Sequence, residues 1–249
     1  MFAISQEETQ FVNCQTGLPT DNDILYKSDK DAAPEPSTYG EITSLGSRQL
    51  FDHMGLIRQD TTNYSPSYQF FDLGSGGGRL VMQSHLELPS VIRSVGIELS
   101  PSRSNIAIQT WDNLVKSGNG KRIREMAEKS WGMNNNDDRI IPTVELIEGD
   151  LFELDISKAT HMYIASLCFS EEMLERLVDK IEREGSNLQI VATIRALPLK
   201  EEKDDIDTDE NRQAILGRKP WQEYLQMSWT KGRGEGCPVH FYSVSRPTK

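Results

Sequence analysis

Cysteine is scarce: Cys14, Cys168 and Cys237 are the only three in 249 residues. An odd number with no CxxC spacing argues against both a disulfide framework and a structural zinc site. No run approaches the roughly 18 consecutive apolar residues of a membrane-spanning helix, and Met1 to Gln10 lacks the basic-then-apolar order of a secretory signal. The expected address is therefore intracellular, with no membrane partner. Basic residues are in deficit, 27 Lys and Arg against 38 Asp and Glu, for a formal net charge of −11. A chain of that sign repels phosphate, so strong binding to bare nucleic acid is not expected. The densest basic stretch holds Lys116, Lys121, Arg122, Arg124 and Lys129 against Glu125 and Glu128, and reads as a solvated helical face. The four histidines, His53, His85, His161 and His240, have no metal-ligand spacing and no nucleophile with a matching acid beside them, so no metal site is expected.

What is present is enough apolar material, 37% of residues, to bury the core of one domain. Residues 1 to 36 carry seven acids against two lysines and no sustained periodicity, the pattern of a flexible acidic arm. From Tyr68 the texture changes. Tyr-Gln-Phe-Phe-Asp-Leu is a short buried-strand run that stops at a glycine-rich turn; Arg79 to Leu88 supplies a helix and Val91 to Leu99 a second strand. A helix carrying Ile106, Ala107, Trp111, Leu114 and Val115 begins near Pro101, a polar basic hairpin follows, and Thr143 to Ile147 forms a third strand. His161 to Phe169 reads as a fourth strand with Cys168 buried in it. Ser170 then caps a helix built on Met173, Leu174, Leu177, Val178 and Ile181. Leu188 to Leu197 is a fifth strand, Lys200 to Asn211 a charged loop, and Tyr224 to Thr230 with Val239 to Ser245 a terminal strand pair. Strands alternating with helices predict a mostly parallel sheet covered on both faces.

The turn Asp72-Leu73-Gly74-Ser75-Gly76-Gly77-Gly78-Arg79 lets the backbone approach a nucleotide-like ligand closely. A dinucleotide fingerprint needs Gly-x-Gly-x-x-Gly, and the sixth place counted from Gly74 is Arg79. Gly-x-Gly-x-Gly, with an acid two residues ahead, fits S-adenosylmethionine better, because a carboxylate at Asp72 suits an ammonium group and would repel a pyrophosphate. Glu98, at the end of the second strand, is placed to accept hydrogen bonds from both ribose hydroxyls. Asp150, after the third strand, is placed to bind the adenine amino group while an apolar neighbour covers the ring. Three strand ends thus converge on one nucleoside.

These residues resemble the class I S-adenosylmethionine-dependent methyltransferases, and more narrowly the disruptor of telomeric silencing family, histone lysine methyltransferases that lack a SET domain. Four segments carry the resemblance. Tyr39-Gly40-Glu41-Ile42-Thr43 resembles the family's donor-covering loop, Asp72 to Gly78 its glycine motif, and Gly149-Asp150-Leu151-Phe152 its adenine segment. Ser228-Trp229-Thr230 with Pro238-Val239-His240-Phe241-Tyr242 resembles its closing strand pair. The resemblance implies an α/β, Rossmann-like class I methyltransferase fold over residues 37 to 249, a mostly parallel seven-stranded sheet with a terminal antiparallel strand pair. It also implies donor binding by Tyr39, Glu41, Thr43, Asp72, Gly74, Ser75, Gly76, Gly78, Glu98, Asp150 and Leu151. For the acceptor it implies a channel of Phe169, Trp229, Phe241 and Tyr242, aromatics suited to a lysine stem and its charge.

The chain also departs from the family. Ala165-Ser166-Leu167-Cys168-Phe169 keeps only the final aromatic of the family's Asn-Asn-aromatic motif, and Ser166 is the residue there that can supply part of the lost hydrogen bonding. Arg79 replaces a glutamine, and Lys231 to Gly236 is an insertion. The reading is an S-adenosylmethionine-dependent protein lysine methyltransferase, with a histone or nucleosome as partner and the nucleus as address by resemblance. A non-histone protein or small-molecule acceptor, and a non-catalytic donor-binding module, stay open beside it.

Overall fold

The computed structural model describes residues 41–57, 67–132, 141–199, 216, 220–230 and 236–244. The chain divides into units Met1–Gly40 and Glu41–Lys249, of which the first lies outside the described residues. The acidic arm, Tyr39, Cys14, the charged loop from Lys200 and most of the 231–236 insertion fall outside them as well.

The elements run α1 (Ser44–His53), β1 (Tyr68–Leu73), α2 (Arg79–Glu87), β2 (Val91–Glu98), α3 (Pro101–Lys116), α4 (Asn119–Ser130), β3 (Thr143–Glu148), β4 (His161–Ile164), α5 (Glu171–Glu184), β5 (Ile190–Thr193), β6 (Trp221–Leu225) and β7 (Cys237–Ser243). One seven-stranded sheet has the order β3-β2-β1-β4-β5-β7-β6. The first five strands are parallel, and β7 lies antiparallel between β5 and β6. The expected mostly parallel sheet with an antiparallel terminal pair is therefore the one observed. Its order turns about β1 and β4, and ligands of open α/β sheets bind at such a switch point, outside the carboxyl ends of the strands.

Alternation along the strands divides the core. Phe70, Tyr163, Ala192, Val239 and Phe241 face α1, where Leu50 and Phe51 are fully buried. Phe71, Leu73, Met162, Ile164, Val191 and Tyr242 face α5, whose Leu174, Leu177, Val178 and Ile181 form the buried stripe. Helix α5 starts where Ser170 accepts the Met173 N–H at 3.2 Å, with Glu171 and Glu172 in its first turn, as the sequence predicts.

Several elements depart from expectation. The basic hairpin is a helix, α4, because Arg124, 7% exposed, turns inward. Its guanidinium donates to the carbonyls of His85, Leu88 (3.0 Å), Pro89 (3.1 Å) and Val91 (3.4 Å) and pairs with Glu128 at 2.9 Å. It thereby ties α4 to carbonyls of the last turn of α2, of the turn after it and of the start of β2. Lys116 and Lys121 pair along their own helices with Asp112 and Glu125. Strand β4 ends at Ile164 and gives way to a 3-10 turn, Ser166–Cys168, so Cys168 is exposed and not a buried strand residue. On α3 only Ser104 and Ala107 are buried, while Ile106 and Val115 point outward. Strand β6 runs over Trp221–Leu225, earlier than expected, and Trp229 falls in a second 3-10 turn, Ser228–Thr230. No described helix is long and apolar enough to cross a membrane.

Candidate active site at the carboxyl edge of the sheet

After Leu73 the chain turns through Gly74, Gly76 and Gly78, all with positive φ. The N–H groups of Gly74 and Ser75 both donate to the Ile97 carbonyl at 2.9 Å, which presses the turn against β2. At Gly78 a Cβ would come within 2.9 Å of the Ala107 side chain, so α3 can approach only because that carbon is missing. Gly96 in mid-strand does the same for β2, since a Cβ there would lie 2.6 Å from Val81 and 2.8 Å from Ser75. Gly96 is not among the residues expected from the sequence; the signal that marks it is a lone glycine inside a strand.

Three carboxylates converge on this turn. Asp72, 3% exposed, has an Oδ1 with no hydrogen-bond partner among the described residues. Burial, reinforced by the carboxylates of Glu98 and Glu41, pushes its pKa well above the ordinary range. Glu98 accepts from the Gly76 N–H at 2.9 Å through Oε2, and through Oε1 from the Ser100 N–H at 2.9 Å and from Arg103 at 3.0 and 2.7 Å. Glu41 lies 3.3 Å from the Arg79 guanidinium. Three acids meet two arginines here, and the buried Oδ1 of Asp72 and Oε2 of Glu41 have no hydrogen-bond partner among the described residues. An unsatisfied buried acceptor is costly and rare in native proteins. The arrangement suits a ligand that brings an ammonium group, and so fits the methionine end of S-adenosylmethionine.

The other expected donor residues take varied places. Glu41 and Thr43 sit in a segment tied to the far end of the chain: Glu41 N–H donates to Ser228 Oγ at 3.1 Å, the Ser228 N–H to the Glu41 carbonyl at 2.8 Å, and Ile42 bridges Met227. Two motifs 187 residues apart therefore form one wall. The Thr43 hydroxyl is engaged in that wall, accepting the Gly46 N–H at 3.0 Å as the cap of α1 and donating to the Gln226 carbonyl at 2.9 Å. Asp150 is exposed beyond β3, with Oδ1 accepting the Phe152 N–H at 2.9 Å, while Leu151 is half-buried. Leu99, expected only as the end of the second strand, is 42% exposed immediately after Glu98 and is a further apolar group at this edge.

The expected acceptor residues are not brought together. Phe241 pairs with Ala192 below the strand ends, is fully buried facing α1, and stacks on Trp221 with centroids 5.3 Å apart. Tyr242 points to the opposite face and its hydroxyl accepts the Leu197 N–H at 2.7 Å. Adjacent strand residues face opposite ways, so these two cannot line one channel. Ser166 is fully buried, its Oγ accepting the Arg195 N–H at 2.9 Å, so it fastens the turn after β4 to the segment after β5 instead of facing an acceptor. Arg195 also holds the Phe169 carbonyl and Glu171. Phe169 and Trp229 alone among the five keep partial exposure, and Leu167 and Cys168 form the exposed tip between.

A parallel sheet closed by an antiparallel β7, with a glycine turn and acids at three successive strand ends, defines the chain as a class I methyltransferase. The sequence profile of the family described as "Histone methylation protein DOT1" matches residues 29–240. The chain belongs to that family, whose members are S-adenosylmethionine-dependent methyltransferases. Among solved structures, an RNA methyltransferase from Salinibacter ruber in complex with S-adenosyl-L-homocysteine is 20% identical, with 83% of this chain and 95% of that one covered and a TM-score of 0.44. A SAM-dependent methyltransferase from Aquifex aeolicus is 13% identical over 80% of this chain and 89% of that one, with a TM-score of 0.40. Likenesses of that size speak to neither substrate nor mechanism. No curated protein matches the chain.

Proposed function

We propose that the chain is a protein lysine N-methyltransferase that takes its methyl group from S-adenosylmethionine and acts on a histone, free or in the nucleosome, in the nucleus. The observation that carries the donor site is the buried Asp72 oxygen, without a hydrogen-bond partner among the described residues, beside Glu41 and Glu98; family membership supports the histone acceptor. S-Adenosylmethionine, when bound, supplies a methyl group on a positively charged sulfur. The residues around it hold and orient. Asp72 receives the ammonium group, Glu98 the ribose hydroxyls, and the second carboxylate oxygen of Asp150 the adenine amino group beside Leu151. The turn of Gly74, Ser75, Gly76 and Gly78 leaves room for the ligand, and Glu41 and Thr43 belong to the covering segment. In-line transfer needs a neutral amine, water excluded from its path, and an apolar guide for its stem. Phe169 and Trp229 are the aromatics at that edge able to guide it. Phe241, Tyr242 and Ser166 act from beneath, by packing and by fixing the two segments that follow β4 and β5.

Exposed Leu167 and Cys168, where the family has amides, favour a second reading in which the acceptor is a non-histone protein or a small molecule. Radiolabelled methyl transfer to recombinant nucleosomes, free histones and a methyl-depleted lysate separates the two. A labelled histone, lost in Glu98→Ala, supports the proposal; label on another lysate protein alone reassigns the acceptor. Donor binding without any transfer makes the chain a binding module.

A further inference from the structure

Glu98 is crowded. A carboxylate offers roughly four lone-pair positions, and Glu98 already accepts four hydrogen bonds, three of them on Oε1. Two come from Arg103, in the first turn of α3, at 3.0 and 2.7 Å, and the pair is well shielded, with side chains 21% and 7% exposed. Arg103 and a ribose diol therefore compete for the same oxygen. A diol that uses both carboxylate oxygens has one open position on Oε2 and none on Oε1 while Arg103 stays in place.

We propose that Arg103 is a latch on the ribose acceptor: it holds Glu98 oriented when no nucleoside is bound, and must give up its two hydrogen bonds to Oε1 for an adenosine 2′,3′-diol to be held by both oxygens. The inference rests on reading Glu98 as the ribose acceptor. Its consequence runs against intuition, since removing a buried ion-pair partner from a binding site tightens binding. Without Arg103 the Glu98 carboxylate loses two donors in the free protein and recovers them from the diol in the complex. Arg103 is thus a positioning residue that sets donor affinity through Glu98.

The test is calorimetric titration of the wild-type chain, Arg103→Met and Arg103→Lys with four probes: S-adenosylmethionine, S-adenosylhomocysteine, adenosine and 2′,3′-dideoxyadenosine. Thermal melts alongside establish that each variant is folded, and Arg103→Lys keeps the charge with a single reaching group should the methionine variant fail to fold. The latch predicts that Arg103→Met binds the three diol-bearing probes more tightly, by about three- to tenfold for each of the two hydrogen bonds that Arg103 no longer has to surrender. Dideoxyadenosine gains nothing, and Arg103→Lys falls between. Tightening confined to cationic S-adenosylmethionine would mean that Arg103 acts only by charge and would overturn the latch. Weaker binding of all probes to folded variants would show that Arg103 supports the pocket, and would overturn it equally. If no probe binds the wild-type chain or either variant, the donor-site reading itself fails and takes the latch with it.

Discussion

Replacing Asp72 by asparagine should make the ligand-free protein more stable and its donor site much weaker. The side chain is 3% exposed, one oxygen has no hydrogen-bond partner among the described residues, and the carboxylates of Glu98 and Glu41 act on it. A neutral amide of the same shape removes the desolvated charge, and relief of about 1–3 kcal/mol at near-neutral pH corresponds to a rise in melting temperature of roughly 2 to 10 °C for a domain of this size. The sign with pH follows from the raised pKa. Below the ordinary value of 3.8 Asp72 is protonated both folded and unfolded, and carries no penalty. Above 3.8 the unfolded chain ionises while the folded acid keeps its proton, so the advantage of asparagine grows until pH reaches the higher folded-state value and then levels. Donor binding moves the other way. An ammonium group favours ionised Asp72, so the wild-type protein releases a proton on binding and its affinity increases with pH across that window. Asparagine forfeits a charge-assisted hydrogen bond of about 1.5–3 kcal/mol, or about 10- to 150-fold in Kd. Differential scanning fluorimetry across pH, with calorimetric titration of S-adenosylmethionine, checks both halves. An asparagine variant that melts no higher than wild type near neutrality, or binds the donor as well, would refute the reasoning.

His85 is pushed down to about 4 by burial and by Arg124, and its ring meets Trp111 edge-on at 5.2 Å. Its folded pKa lies below the unfolded 6.5, so stability is lost as pH falls from 6.5 toward 4, by at most about 3 kcal/mol, and His85→Phe should flatten chemical denaturation midpoints over that interval. Arg124→Met removes a guanidinium shared by the carbonyls of His85, Leu88 and Pro89 and one ion-pair partner of Glu128, and should lower stability by about 3–5 kcal/mol with little change in donor affinity per folded molecule. Tyr242→Phe strips the buried Leu197 N–H of its acceptor and should cost about 1–3 kcal/mol, read from urea unfolding, while methyl transfer proceeds unchanged if the ring is packing and not channel. Gly78→Ala meets both a φ of +74° and the Ala107 side chain at 2.9 Å; a loss of about 2–4 kcal/mol and of donor affinity together is expected by melting and titration.

Local patterns carried a large part of this protein into view. The apolar run of β1, its glycine stop, the acid at the end of β2 and the capped stripe of α5 are legible because each depends on neighbours within a turn or a strand. Alternation of helices and strands was enough for a parallel sheet, and the glycine spacing with Asp72 and Glu98 was enough for a methyl-donor site over a dinucleotide one. Even the opposed faces of Phe241 and Tyr242 were latent in the period-2 rule for strands, once β7 is recognised as a strand through both. Other features depend on which groups the fold sets side by side. Whether Ser166 faces a ligand or a backbone amide depends on where the segment after β5 passes. That Arg124 enters the core, against its charge, follows from carbonyls contributed by a different helix, the turn after it and the strand that follows. The wall joining Glu41 to Ser228 spans 187 residues, and the hold of Arg103 on Glu98 rests on two side chains meeting above a strand end. A sequence determines which residues can form each element; burial, orphaned charge and competition for one oxygen are properties of distances between elements, and only the assembled sheet decides those.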